Sequence, residues 1–289
     1  MKSNDIFQML EIFSKRDKFR KDVWCGIKQN RDLLVHQGSG SKDVLKILTD
    51  NLYNLDENVV MHIVEVLGLI ADSSSIQLLE EKYERIEKNG VLRTVYSWAG
   101  KRLHLFGREK KKIDHSYLEE LSPKELVNIF AKHGSSTSPA PFIWEENIYA
   151  RDRLVKMGEV ILEELYAVLN TTDNNILTNV IEIIGEIGNR KDVSILEKLL
   201  ERKLDILWGS TIRELGYTLV KLGSERGYEL LKWMVKLHTD RPESRLDGAI
   251  ALRYFGLKDV FKNDEIDYAN LHPRWVSILR QIVDELMEE

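Results

Sequence analysis

Seven histidines, His36, His62, His104, His115, His133, His238 and His272, are the first place to look for chemistry, and none stands two or four residues from another. Helices that hold a metal present paired histidines at such spacings, so no helix of this chain offers a metal pair. Cys25 is the only cysteine, which leaves no intrachain disulfide and no cysteine-cluster zinc site. It lies in the apolar run VWCGI and reads as a small buried hydrophobe, not a reactive thiol. The phosphate loop GxxxxGK[ST], the dinucleotide fingerprint GxGxxG and the nucleophile elbow GxSxG are all missing, and the GSGS at Gly38 is a flexible turn. The chemistry that remains is that of binding: clustered cations and aromatic side chains.

Three stretches carry it. Lys15 to Arg31 holds seven basic and two acidic residues around Phe19, Val23 and Trp24, a composition that suits a solvated helix face as well as an acidic partner. Lys101 to Lys112, KRLHLFGREKKK, sets six basic residues against one acidic residue across a helix end. Cations near a helix C-terminus are favoured by the helix dipole, but Arg108, Lys110, Lys111 and Lys112 lie beyond that end and make the best local contact for a polyanion or an acidic protein. Gly134 to Pro141, GSSTSPAP, reads as a flexible loop leading into Phe142, Ile143 and Trp144. Those aromatics either recognise a partner or pin the chain to its own core. Arg102, Arg108, Lys111, Phe142 and Trp144 are the candidate partner-binding anchors.

The elements that must position these residues are helices. In LTNVIEIIGEIGNRKDVSILEKLLE, Leu177, Val180, Ile181 and Ile184 line one helix face, Gly188 and Asn189 break the helix, and Asp192 is placed to cap a second one. The second helix runs its apolar face through Val193, Leu196, Leu199 and Leu200. The same ending, a small residue with Leu or Ile four positions earlier, recurs at Ala71, Gly107, Gly158, Gly188, Gly223 and Gly256, with Leu67, Leu103, Leu154, Ile184, Leu219 and Leu252 in the equivalent slot. Intervals of 36, 51, 30, 35 and 33 residues describe a period of about 33 with one insertion. A weaker copy ends near Gly38, with Leu34 in the slot. Small residues seven or eight positions before the endings, including Ala150, Gly216, Gly248 and Ala249, would let helices of neighbouring repeats approach closely.

These residues resemble the HEAT-repeat family, in particular the short repeats found in phycobilisome lyase subunits. SRLDGAIALRYFG, Ser244 to Gly256, keeps that family's Arg as Arg245, its small pair and its Leu, and VIEIIGEIG keeps the ending without the Arg. The resemblance spans residues 35–261 and implies an all-α, right-handed α-α superhelix of six to seven helix pairs. The whole chain, 1–289, would then be a single repeat domain with an insertion at 109–147 containing the loop 134–141. A short amphipathic helix from Asn4 to Phe13 would cap one end, and a helix from Arg274 the other.

Function is far less specified than fold. Deoxyhypusine hydroxylase is a HEAT-repeat metalloenzyme whose iron ligands come from His-Glu dipeptides, and this chain has none. Alkylpurine DNA glycosylases cradle a duplex on HEAT-like repeats with concave aromatics and an acidic residue. None of the six tryptophans here has Asp or Glu three or four residues later, on the same helix face. Trp208 and Trp233 fall among apolar residues and read as core. A net charge of −5 argues against a nucleic-acid role, and no run of eighteen apolar residues could span a membrane. The expectation is a non-catalytic, cytoplasmic scaffold without cofactor or metal. It binds a protein partner along its concave face or through the segment 134–144, with nucleic-acid binding or bilin-lyase-like chromophore handling as the alternatives.

Overall fold

The computed structural model describes residues 3–14, 23–54, 56–70, 116–132, 141–236, 242–255 and 273–287, together with Leu79, Phe261, Ile266 and Tyr268. Every regular element among them is helical, and none is a strand. The α-helices are α1 (Ser3–Phe13), α2 (Val23–Gly38), α3 (Lys42–Asp50), α4 (Glu57–Ile70), α5 (Pro123–Lys132), α6 (Pro141–Met157) and α7 (Leu162–Val168). They continue as α8 (Asn174–Ile187), α9 (Val193–Lys203), α10 (Gly209–Lys221), α11 (Glu225–Lys236), α12 (Pro242–Tyr254) and α13 (Pro273–Met287). None of them is long and apolar enough to cross a membrane. The chain divides into two compact units, one of residues 1–112, 252–265 and 272–289, the other of residues 113–251 and 266–271.

In the first unit α1, α2, α3 and α4 all pack on one another. The amphipathic spacing of α1 buries Ile6, Leu10 and Phe13 as expected, and Leu34, Leu48, Ile63 and Leu67 complete the core. Ser41 caps α3, accepting the Val44 N–H at 3.4 Å. Gly38 ends α2 where a Cβ would lie 2.4 Å from Ile70 Cδ1, and Gly40 takes φ +88° in the turn that follows. Arg31 is buried and donates to Glu65 Oε1 at 2.8 Å, while His62 Nδ1 stands 3.4 Å from the other oxygen of that carboxylate and its ring meets Phe13 at 5.0 Å.

The second unit runs through the consecutive helices α6 and α7, α8 and α9, and α10 and α11; α10 packs on both α8 and α11, and α5 packs on both α6 and α8. The slot four residues before each ending is fully buried at Leu154, Ile184 and Leu219, as it is at Leu34, Leu67 and Leu252. That regularity is what the recurring Leu or Ile encodes: the apolar side chain closes the helix end onto its neighbours, removing an area worth roughly 2 kcal/mol from water. Gly158 and Gly223 end their helices with φ +71° and +84°. Gly188 does not, since its φ is −78°. It is glycine for lack of room, because a Cβ would lie 2.5 Å from the Ile184 carbonyl and 2.7 Å from Asp192 Oδ2.

The cap that follows differs from the expected one. Asn189 is the capping residue, accepting the Lys191 N–H at 3.1 Å, and Asp192 reaches back to accept the Asn189 N–H at 2.7 Å. The sequence Ser122-Pro123-Lys124-Glu125 forms a capping box as well: Glu125 accepts the Ser122 N–H at 2.8 Å, and α5 ends at Lys132.

Polar side chains bolt one hairpin to the next. Asn174 accepts the Trp208 N–H at 2.8 Å and donates to the Ile206 carbonyl at 3.2 Å, so the start of α8 holds the entry to α10. Thr178 and Thr211 share a hydrogen bond of 2.8 Å, and Thr218 donates to the Ile181 carbonyl at 3.1 Å. Each of these groups is buried, so each bond also spares an unsatisfied donor or acceptor. The small residues do two different jobs. A Cβ on Gly185 would lie 2.7 Å from Thr218 Oγ1, a contact between successive hairpins, and one on Gly248 would lie 3.0 Å from the Leu231 carbonyl of the preceding hairpin. Gly216 meets α11, the partner in its own hairpin, at Leu231 and Gly227.

Candidate functional site

Of the residues nominated from sequence, Arg102, Arg108 and Lys111 lie outside the described residues. So do residues 133–140, the bulk of the expected loop. The backbone from Pro141 is helical, which puts Phe142 and Trp144 in the first turn of α6 and not on a loop. Proline suits that position because the first turn of a helix has no use for its missing N–H.

Among the described residues the strongest concentration of interacting charge lies elsewhere, on α6, α8, α10 and α12. Arg151 of α6 bonds Glu182 Oε1 of α8 at 2.5 Å, and stands 3.7 Å from Asp152 and 3.9 Å from Glu186. Lys221 of α10 donates to Glu186 Oε1 at 2.6 Å, with its ammonium 4.7 Å from the Tyr217 ring centre. Arg213 of α10 pairs with Asp247 of α12 at 3.4 Å. The series therefore runs from α6 through α8 and α10 to α12 as one seam. Its members are part-buried, Arg151 and Lys221 being only 11% and 7% exposed, so solvent screens these pairs less than surface ones.

Burial alone would lower the Arg151 guanidinium, but Glu182, Glu186 and Asp152 hold it above the usual arginine range. Glu214 of α10 is the exception in the seam. Among the described residues no hydrogen-bond or ion-pair partner meets its carboxylate. Lost hydration first, then repulsion from Glu182, pushes it up to about 7, while Arg213 and Lys221 oppose the rise. Three cations, Arg151, Arg213 and Lys221, thus face five carboxyl groups, those of Asp152, Glu182, Glu186, Glu214 and Asp247.

That arrangement has no nucleophile with an adjacent base, and among the described residues no group of His, Cys, Asp and Glu is arranged to hold a metal ion. What it can do is hold a cationic side chain: in the pairs described, carboxyls outnumber cations, and the Glu214 carboxylate makes no hydrogen bond or ion pair among the described residues.

The second helices present a different surface. Trp233 of α11 is 40% exposed, and Trp208, just before the first helix α10, is 51% exposed, which corrects the reading of both as core. Trp208 ends up outside because its backbone N–H, and not its ring, is the group bonded to Asn174. On α9, Glu197 accepts from Ser224 at 2.7 Å and Glu201 from Arg226 at 2.7 Å, so the acids of that helix turn toward α11.

No protein-family model matches the chain, and no curated protein matches it significantly.

Sequence reasoning passed over the seam because lone charges on a helix read as solvated. A signal was nonetheless present. The position two before the ending glycine holds Glu186 and then Lys221, opposite charges in one slot of adjacent repeats, and these are the two that pair.

Proposed function

We propose that this chain is a HEAT-like helical-repeat scaffold whose hairpins continue as a right-handed superhelix, and that it binds a protein partner along the face formed by the first helices. The observation that carries this reading is the seam from Arg151 to Asp247, a polar strip crossing four helices in which, among the described residues, Glu214 makes no hydrogen bond or ion pair. Part-buried charge crowded between neighbouring helices is what the inner side of a curved stack would present, and an extended inner face suits a partner held by many contacts with a few anchors. The excess of carboxylates favours a basic protein surface over the phosphates of a nucleic acid, since like charges across an interface are repelled. Partner arginine or lysine meeting Glu214 would supply the anchor. Scaffolding without catalysis fits the same features, because the ionised groups are engaged with one another. The segment 134–144 remains a second contact region, with Phe142 and Trp144 at the start of α6.

The test is co-purification of proteins with the full-length chain, quantified against two charge-reversal variants. Proteins retained by the wild type and by Glu229→Arg but lost from Glu214→Arg support the reading. Identical recovery with all three, or recovery of nucleic acid alone, contradicts it.

A further inference from the structure

Between the second helices α7 and α9 lies a groove of about 270 Å³, walled by Tyr166 and Leu169 from one side and by Ile195 and Leu199 from the other. Leu169 and Leu199 are buried. The Lys203 ammonium closes one end by donating to the Leu169 carbonyl at 3.0 Å and to the Thr171 carbonyl, which satisfies the C-terminus of α7. Tyr166 is anchored from below by its hydroxyl, which donates to Asp192 at 2.6 Å. The walls are therefore held in place.

Lys198 and Arg202 stand at the groove one helical turn apart, about 6 Å along α9. Both are exposed, and neither has an acidic partner among the described residues. The shortage is local in origin: the two acids of α9 that could serve them, Glu197 and Glu201, are bonded to Ser224, which precedes α11, and to Arg226 of α11. The helix dipole accounts for a cation in the last turn of α9 but not for Lys198 a turn earlier.

From this charge pattern we infer that the α7–α9 groove is a docking site for an acidic amphipathic segment of a partner protein. Its apolar side chain enters between Tyr166, Leu169 and Leu199, and carboxylates one turn apart meet Lys198 and Arg202. A helix laid along a groove between two helices presents such side chains at i and i+4. A nucleic acid is disfavoured by the surroundings, because Glu163 and Glu164 of α7 and Glu201 of α9 are also exposed and would oppose a continuous run of phosphates, whereas a peptide can place its charges selectively. The groove is carried by the second helices and no residue of the seam lines it, so the inference stands apart from the function proposed above.

The probe is a short fluorescein-labelled helical peptide with leucine on one face flanked by glutamate, titrated into the full-length chain at low salt and followed by anisotropy. Wild type binds it, and Lys198→Glu with Arg202→Glu weakens binding by roughly tenfold or more, as loss of about 1.4 kcal/mol requires. The control reverses the same charge on the first unit, Lys42→Glu with Lys46→Glu, and keeps wild-type affinity. An intact circular dichroism melt verifies that both variants fold. Equal weakening by the control, no binding to wild type, or duplex DNA bound with the same sensitivity to the Lys198 and Arg202 changes overturns the inference. None of these outcomes depends on Glu214, so failure here leaves the first-helix reading standing, and the converse holds.

Discussion

On the first helices of successive hairpins, Arg151, Glu182, Glu186 and Lys221 bond to one another across α6, α8 and α10, whereas on the second helices Lys198 and Arg202 meet solvent. The composition of the two helix series is similar, since each mixes acids and bases. What differs is registry. Gly185 lets α8 approach α10 closely enough for Thr218 to pack on it, and that approach brings Glu186 and Lys221 to 2.6 Å. On α9 Glu197 and Glu201 find partners in Ser224 and Arg226 at the start of α11, while Lys198 and Arg202 have no acidic partner among the described residues. A charge on a repeat helix is therefore structural or available according to how near the next helix comes, a quantity decided by small residues some distance away.

The comparison is sharpest where a buried charge is stripped of its partner. Arg151→Met should cost about 3 kcal/mol in urea unfolding, because Glu182 keeps its burial and loses its counter-charge. A loss under about 1 kcal/mol would place these residues with ordinary surface pairs. Next comes the tight crossing of α10 and α11. A Cβ on Gly227 would lie 2.6 Å from the Val220 nitrogen, and backbone cannot yield as a side chain end can. Gly227→Ala should lower stability by about 2 kcal/mol despite the better helix propensity of alanine. An alanine variant as stable as wild type would show that the helices separate cheaply.

A smaller effect isolates Glu214. Its folded pKa is raised from 4.5 to about 7, so the folded state binds the extra proton between those values and stability falls as pH rises through that window. Below pH 4.5 the group is protonated in both states and contributes no difference; above 7 its full cost is present. Glu214→Gln should therefore gain stability over wild type as pH rises from 4.5 through 7, with the gain vanishing in acid. A gain independent of pH would mean that charge is not the cause. Smallest of all, Lys198→Ala should leave the melting curve within about 0.5 kcal/mol of wild type, as expected of a cation that holds nothing in the fold.

Much of the helical organisation was legible in the residues. Leu154, Ile184, Leu219 and Leu252 could be aligned before any coordinates because burial of one slot per repeat leaves an apolar mark at a fixed distance from a glycine. The Ser122 box was legible for a similar reason: capping is local, and the two residues that bond are three apart. The seam was not, because the bond between Glu186 and Lys221 depends on the approach of two helices 35 residues apart in the chain. Trp208 was misread by the same limitation. Apolar neighbours in sequence suggested burial, but the Asn174 clamp on its backbone fixes the turn and leaves the ring outside. A glycine closing a helix suggests a left-handed turn, but at Gly188 crowding by Asp192 and the Ile184 carbonyl, not a positive φ, is what requires it.

The claim on which the contrast rests is that the first helices spend their charges on joining successive hairpins. A double-mutant cycle on Glu186→Gln and Lys221→Met, measured by urea unfolding, addresses it most directly. The account expects a coupling energy of about 1.5 kcal/mol or more between the two positions, as for contacting groups in one network. Additivity within about 0.3 kcal/mol would contradict it, and would make the seam no different from the solvent-facing charges of α9.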